Sequence, residues 1–160
     1  MLTPTGLIRD PGTCTPYFCP QASQEVQMII DETGTVQDAM NANVLQVGPD
    51  HTLRQCASAM ASRKVGAAII VDPDRDGVGI ITERDVLIAV ANGQDPNVEL
   101  VGAHLTSDVV FAAPQWPVLK AAQTMLNGGF RHLVVLEGGD VAGVLSVRDV
   151  VRAWVEAETL

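Results

Sequence analysis

The chain has 160 residues, 47% of them hydrophobic, and a formal net charge of −9 at pH 7, a length that allows one compact core or two small cores packed together. The acidic balance disfavours nucleic acid as a partner, because nucleic-acid binding depends mainly on Lys and Arg side chains that neutralise phosphates. No run approaches the roughly 18 apolar residues that a membrane helix needs, so we expect no association with a membrane.

Residues 1–34 form a lead segment with four prolines and little periodicity, and we expect a poorly structured or loosely docked extension. The segment lacks the charged start and long apolar stretch of a secretory signal. Cys14 and Cys19 lie in it without the second pair of ligands that a structural zinc site needs, so we predict no metal site. With Cys56 as the third cysteine, the chain has a poor disulfide framework, and we expect a reducing, cytoplasmic environment.

Residues 35–91 carry the first of two similar series of elements. A β-branched run at residues 44–47 predicts a strand, and an apolar run at residues 68–71 predicts a buried strand followed by a turn at residues 72–77. Between the strands, five apolar residues with the spacing 0, 3, 4, 7, 8 predict one face of an amphipathic helix. They are Leu53, Cys56, Ala57, Met60 and Ala61.

The same series recurs after a turn-rich linker at residues 92–97, where a helix is predicted to stop. Strands are predicted at residues 109–112 and 133–136, and a turn at residues 137–140. The helix stripe returns with the same spacing at Val118, Ala121, Ala122, Met125 and Leu126. A repeated series of this length indicates one small unit built twice.

We therefore predict an α+β fold of two pseudo-symmetric strand–helix–strand–strand–helix (β-α-β-β-α) repeats packed sheet to sheet. The two units would face each other across a pseudo-two-fold axis. The predicted boundaries are residues 35–91 for the first repeat, 92–97 for the linker, 98–155 for the second repeat and 156–160 for a C-terminal tail.

Each repeat contains a seven-residue signature that reads Gly, two apolar residues, a hydroxyl residue, any residue, Arg and Asp. The two copies span residues 79–85 and 143–149, which start 64 positions apart. Their Ser/Thr-x-x-acid pattern is close to a capping box, which satisfies backbone N–H groups at a helix start and needs no ligand. Both copies use Asp where Glu is usual, which hints at a second role.

A ligand-binding interpretation uses the same geometry. The N-terminus of a helix offers unpaired N–H groups and a partial positive charge, which suit a phosphate. An Asp one turn later can accept hydrogen bonds from both hydroxyls of a ribose, and Gly79 and Gly143 would keep side chains away where the backbone must approach closely. Together these features point to a nucleotide, with simple helix capping as the alternative.

The two signatures, in matching frames, resemble those of CBS domains, named after cystathionine β-synthase, and the resemblance covers about residues 35–155. It implies a stand-alone regulatory or sensor module and not an enzyme, in agreement with the lack of a recognised catalytic motif. The implied ligand is an adenosine compound bound between the repeats. AMP, ADP or ATP is expected first, with S-adenosylmethionine or NAD as alternatives, and no other cofactor is required.

The resemblance further implies two clefts, each drawing on both repeats. The first would be formed by Thr82, Asp85, Val109, Val110, Arg131, His132 and Arg148. The second would be formed by Val44, Leu45, Gly66, Ala67, Arg84, Ser146 and Asp149. Because the first cleft has more cationic residues in this assignment, we expect it to prefer a phosphorylated ligand.

The main alternative is a ligand-free structural or interaction module that dimerises or docks a partner, with the signatures serving as helix caps. A homodimer is expected from the resemblance and from the frequency of two-fold assemblies, and the sequence does not identify a regulated protein. Candidate dimer contacts are Val86, Leu87, Val90, Val150, Val151 and Trp154.

Overall fold

The structure, a computed structural model, describes residues 34–71 and 77–157. Most of the predicted lead segment, including Cys14 and Cys19, lies outside the described residues, and so do residues 72–76 of the first predicted turn and the last three residues of the predicted tail. Within the described residues, no helix combines the length and the apolar character needed to cross a lipid bilayer.

The predicted α+β repeat is confirmed, with a short helical segment preceding each copy. The first half contains α1 (Val36–Ala39), β1 (Gln46–Val47), α2 (Leu53–Arg63), β2 (Ala67–Val71), β3 (Val78–Thr82) and α3 (Glu83–Ala91). The second half contains a 3₁₀ turn (Val101–Ala103), β4 (Phe111–Ala112), α4 (Val118–Gly128), β5 (His132–Glu137), β6 (Asp140–Ser146) and α5 (Val147–Ala157). β1 and β4 are shorter than predicted, because Val44 and Val109 precede the paired part of each strand.

Each half folds its three strands into a sheet in the order β1-β2-β3 or β4-β5-β6. The first strand of each sheet runs parallel to the second, and the second and third strands form an antiparallel pair. In the second half this pair turns through Gly138 and Gly139, whose φ angles are 62° and 100°. Glycine suits these positive angles because it has no Cβ.

The predicted helix faces form the two outer cores. Leu53, Cys56 and Met60 of α2 are buried against the first sheet, because their spacing places them on one side of the helix. α4 buries four of its five stripe residues in the second core in the same way. The prediction is wrong for the fifth position, which is exposed in both helices: Ala61 in α2 and Leu126, 77% exposed, in α4. This position lies in the last helical turn, after the final residue that contacts the core.

The inner faces of the two sheets pack against each other, as predicted. Strand alternation directs Ala68 and Ile70 of β2 toward the helices, and Ala67 and Ile69 toward the other sheet. Ile69 meets Val134 of β5 there, and both are fully buried. Burial of one such side chain stabilises the fold by about 1.5–3 kcal/mol. The layer order is helices, sheet, sheet, helices.

The segment that leads into each repeat packs on the opposite half. Val36 of α1 is buried in the second-half core, and its N–H donates to the carbonyl oxygen of Trp116 at 2.8 Å. Val101 of the 3₁₀ turn is buried in the first-half core, and its N–H donates to the carbonyl oxygen of His51 at 2.8 Å. Neither half is therefore complete without the segment that leads into the other. Two isolated β-bridges also connect each leading segment to the opposite half: Asn41 pairs with Val144, and Thr106 pairs with Ile80.

Candidate functional site

Two cavities lie between the halves, each beside the start of one signature helix. The larger cavity, beside Asp149 at the start of α5, has a volume of about 770 Å³. The smaller cavity, beside Asp85 at the start of α3, has a volume of about 210 Å³. Small-molecule sites usually have volumes of about 300–1,000 Å³, and of these two cavities the larger one reaches that range.

The two cavities contain most of the predicted site residues, but each signature arginine lines the opposite cavity from the one predicted. The larger cavity is lined by every residue of the second predicted cleft except Arg84. The smaller cavity is lined by every residue of the first predicted cleft except Arg148. The structure instead places Arg148 in the larger cavity and Arg84 in the smaller one. Each arginine directly precedes the Asp of its own signature, in the first turn of the same helix, and borders the same cavity as that Asp.

Both signature aspartates cap their own helices. The Oδ2 atom of Asp149 accepts hydrogen bonds from the Ser146 N–H at 2.9 Å and from the Ser146 hydroxyl at 2.6 Å. The Oδ2 atom of Asp85 accepts from the Thr82 N–H and the Thr82 hydroxyl, both at 2.7 Å. The capping prediction is therefore confirmed in both repeats.

Capping uses one oxygen of each carboxylate, and the second oxygen differs between the cavities. The Oδ1 atom of Asp149 accepts a hydrogen bond from Nη2 of Arg152 at 2.7 Å. The Oδ1 atom of Asp85 has no hydrogen-bond partner among residues 34–71 and 77–157. In the smaller cavity, Oδ1 of the capping Asp85 is therefore available to a ligand. In the larger cavity, Oδ1 of the capping Asp149 is held by Arg152.

The signature glycines face other parts of the protein. A Cβ atom on Gly143 would lie 2.6 Å from Sδ of Met40 and 3.1 Å from the carbonyl oxygen of Asn41. A Cβ atom on Gly79 would lie 3.0 Å from Cδ1 of Leu105. The close approach predicted at these glycines is made by the chain that leads into each repeat, and neither glycine lines either cavity.

Charge is distributed unequally between the two cavities. The smaller cavity is lined by two cations and two carboxylates: Arg84, Arg131, Asp85 and Asp108. The larger cavity is lined by four cations and two carboxylates: Lys64, Arg131, Arg148, Arg152, Glu83 and Asp149. The prediction that the Asp85 cleft holds more cations is wrong, because Arg148 stays with Asp149 and Arg131 borders both cavities.

Arg131 and His132 form a wall between the cavities and border both of them. Nη2 of Arg131 lies 3.3 Å from Oε1 of Glu83, with both side chains more than half exposed, and such ion pairs contribute about 1 kcal/mol or less. A Cβ atom on Gly66 would lie 3.2 Å from Nε2 of His132. Burial lowers the pKa of His132 and Arg131 adds to that effect, while Glu83 and Asp149 oppose it.

Sequence reasoning did not assign Lys64 or Arg152 to a cleft. Lys64 caps the end of α2 with a φ angle of 56°, a left-handed conformation that costs a non-glycine residue roughly 1–2 kcal/mol. Its counterpart in the second repeat, Gly129, has a φ angle of 68°. A lysine at a repeat position that favours glycine was therefore the sequence feature that could have identified Lys64. For Arg152, the signal was its place one helical turn after Asp149.

The candidate dimer contacts separate into core residues and exposed residues. Val86 packs against the first-half core and Val150 is buried in the second-half core. The exposed fractions of the remaining four are 68%, 49%, 51% and 41% for Leu87, Val90, Val151 and Trp154. These four leave apolar surface on α3 and α5, and the homodimer remains a prediction.

Comparisons with known proteins find the same two repeats. The model of the CBS domain matches residues 36–92 and 101–156. An uncharacterized 17.7 kDa protein of Acidianus ambivalens is 34% identical over 127 residues, which cover 78% of this chain and 76% of that protein. Other curated relatives are longer, and the chain spans 41% of the length of one of them.

Solved structures agree with this assignment. A CBS-domain containing protein of Agrobacterium tumefaciens is similar with a TM-score of 0.69 and 33% identity, covering 76% of this chain and 93% of that one. A CBS domain protein of Pyrobaculum aerophilum, complexed with AMP, is similar with a TM-score of 0.67 and 26% identity, covering 79% of this chain and 99% of that one. Because the family matches fall on the two repeats that carry the signatures, the chain belongs to the CBS domain family, with two CBS domains in tandem.

Proposed function

We propose that this CBS pair is a regulatory sensor module that binds AMP, ADP or ATP in the larger cavity. The observation that carries the proposal is the concentration of cations there: four of the ten Lys and Arg residues line one cavity of a chain whose net charge is −9. Charge-assisted hydrogen bonds to phosphate are about twice as strong as neutral ones. A phosphorylated ligand therefore gains more from this cavity than an uncharged one.

Each part of an adenine nucleotide has a matching part of the cavity wall. Asp149 and Ser146 at the start of α5 would bind the ribose hydroxyls, and Val44 and Leu45 would flank the base. The cations would bind the phosphates. The volume of about 770 Å³ suits a ligand of this size, whereas the smaller cavity, at about 210 Å³, is a poorer match to a whole nucleotide.

The family supports a sensor and an adenosine ligand. The Pyrobaculum aerophilum relative is complexed with AMP, which favours an adenine nucleotide over S-adenosylmethionine or NAD. CBS pairs are generally regulatory modules, and we propose that this chain catalyses no reaction itself and acts through a partner protein. The buried free thiol of Cys56, whose pKa is raised by burial, is compatible with the proposed cytoplasmic environment.

A second candidate function is a ligand-free interaction module. It is favoured by the two capping aspartates, which have a structural role without any ligand, and by the exposed apolar side chains on α3 and α5. Those side chains would form the surface of a homodimer in either function. The two candidates differ in what they predict for nucleotide binding.

Calorimetric titration with AMP tests the proposal, with Asp149→Asn and Asp85→Asn as matched variants. Both variants weaken a helix cap, which costs about 1 kcal/mol of stability in either case. We expect Asp149→Asn to lower the affinity for AMP about tenfold or more, because it removes a charged acceptor from the ribose, and Asp85→Asn to leave it nearly unchanged. The reverse order would contradict the choice of cavity.

A thermal-shift experiment separates the two candidate functions. Binding at a ligand concentration of 100 times Kd stabilises a protein by about 2.7 kcal/mol, which is easily measured. AMP, ADP, ATP and S-adenosylmethionine would be compared at equal concentrations. If none of them stabilises the protein, the sensor function is wrong and the interaction module is favoured.

A further inference from the structure

The signature aspartate of the larger cavity is already engaged by the chain itself. Oδ2 of Asp149 is held by Ser146, and Oδ1 accepts a hydrogen bond from Nη2 of Arg152 at 2.7 Å. The same Nη2 atom donates to the carbonyl oxygen of Ala39, the last residue of α1, at 3.2 Å. Because the Asp149 side chain is 13% exposed, it has little room for an additional donor. A ribose hydroxyl at Oδ1 therefore competes with Arg152.

This contact belongs to one cavity and not to the signature in general. The residue of α3 that corresponds to Arg152 is Ile88, which has no donor and is 51% exposed. Accordingly, Oδ1 of Asp85 has no hydrogen-bond partner in the described part of the chain. Helix capping needs Oδ2 alone in both repeats, so capping does not account for Arg152.

The exchange of Arg152 for a ribose has a different outcome for nucleosides and nucleotides. A ribose hydroxyl is a neutral donor, and its hydrogen bond to a carboxylate lacks the second charge that a guanidinium supplies. A nucleoside that displaces Arg152 therefore loses stabilisation at Asp149 and offers nothing to the freed cation. A nucleotide brings a phosphate into the same cavity, where the freed guanidinium and Arg148 can bind it.

We propose that Arg152 is a specificity-determining residue that makes the larger cavity select phosphorylated ligands over the corresponding nucleosides. It occupies the ribose-binding carboxylate until a ligand arrives whose phosphate provides the guanidinium with a new partner. The Arg152 side chain is 52% exposed, so it can turn from Asp149 to the phosphate without a movement of α5. This inference rests on the proposed function, since it assumes that Asp149 binds a ribose.

The test compares adenosine with AMP in calorimetric titrations of the wild-type chain and Arg152→Met. Methionine keeps most of the aliphatic stem and removes every donor. We expect the affinity for adenosine to rise about threefold to tenfold, because no cation then competes for Oδ1. The affinity for AMP does not rise, since the competing contact and a phosphate partner are lost together. The ratio of the two affinities therefore falls.

Arg148→Met is the matched control, because Arg148 lies on the same helix and lines the same cavity but has no hydrogen bond or ion pair to Asp149 among the described residues. It is expected to weaken AMP binding and to leave adenosine binding unchanged. Arg152→Gln provides a second variant if Arg152→Met does not fold.

If the wild-type chain binds AMP but substitution of Arg152 leaves the affinity for adenosine unchanged or lowers it, this inference alone is overturned. Failure of AMP to bind the wild-type chain would overturn the proposed function, and the inference with it.

Discussion

The larger and smaller cavities occupy equivalent places in a duplicated fold, but the two additional cations of the larger cavity, Lys64 and Arg152, come from positions that the duplication does not share. Lys64 corresponds to Gly129 in the second repeat, and Arg131 corresponds to Gly66 in the first, both at an offset of 65 positions. Arg152 on α5 corresponds to Ile88 on α3. The signatures themselves share one residue pattern and both cap a helix. The comparison teaches that a signature specifies the backbone frame of such a site, while the residues around the signature decide its charge.

The residue that follows α2 and the residue that follows α4 have the same backbone conformation, although their side chains differ. Lys64 and Gly129 both have left-handed conformations, with φ angles of 56° and 68°. Glycine adopts this conformation without a steric cost, whereas lysine does not. The first repeat therefore keeps a cation at the rim of the larger cavity at some cost in stability, which is a pattern often found at functional sites.

The largest difference between the cavities should appear on removal of their signature arginines. We expect Arg148→Met to lower the affinity for AMP about tenfold to a hundredfold, because a hydrogen bond to a charged group contributes about 1.5–3 kcal/mol. Arg84→Met, the equivalent change in the smaller cavity, should have little effect. Calorimetric titration of both variants measures this, and equal losses would show that the two cavities do not differ in phosphate binding.

Replacement of the two signature glycines should lower the free energy of unfolding by different amounts. Gly143→Ala places a Cβ atom against Sδ of Met40 and the backbone oxygen of Asn41, and such overpacking costs about 1–3 kcal/mol. Gly79→Ala meets the end of the Leu105 side chain, which can turn away, so we expect a smaller loss. Urea unfolding gives both free energies. A loss for Gly79→Ala that matches the loss for Gly143→Ala would contradict this difference in packing.

Lys64→Gly should raise stability and weaken binding at the same time. Relief of the left-handed lysine raises the free energy of unfolding by up to about 1 kcal/mol, and loss of the cation lowers the affinity for AMP severalfold. Gly129→Lys is the mirror-image control, expected to lower stability without changing AMP binding. Thermal unfolding and calorimetry measure the two effects, and unchanged AMP affinity in Lys64→Gly would remove Lys64 from the site.

The smallest expected effect is a pH dependence that belongs to His132, whose counterpart in the first repeat is Ala67. Its pKa in the folded protein lies below the ordinary value of 6.5, chiefly because of burial. As the pH falls below 6.5, the unfolded chain therefore takes up the proton first, and the free energy of unfolding decreases until the folded pKa is passed. Above pH 6.5 this loss is absent.

Urea unfolding of the wild-type chain and His132→Gln between pH 5 and 8 isolates this contribution, because every other ionisable side chain is present in both proteins. We expect a flatter pH profile for His132→Gln. Identical slopes in the two proteins would show that His132 does not contribute.

Much of the fold and part of the site could be predicted from local sequence. The apolar spacing located α2 and α4, and the signatures located the capped starts of α3 and α5. The exposure of Leu126 could not be predicted in this way, because it depends on how far the core extends along α4. The prediction that Arg148 lines the cleft of Asp85 was wrong, since a helical period does not state which neighbouring half the first turn of the helix borders.

The sequence by itself determined the duplicated unit, its helix faces and its caps, because each of these depends on residues within one or two helical turns or along one strand. Only the tertiary structure decided which cations share a cavity, what the glycines face and which residue holds the second oxygen of Asp149. Those contacts depend on the exchange of leading segments between the halves, and Arg152 and Ala39 meet although they are 113 positions apart. Contacts over such distances are created by the packing of the two repeats and have no periodicity that a local pattern records.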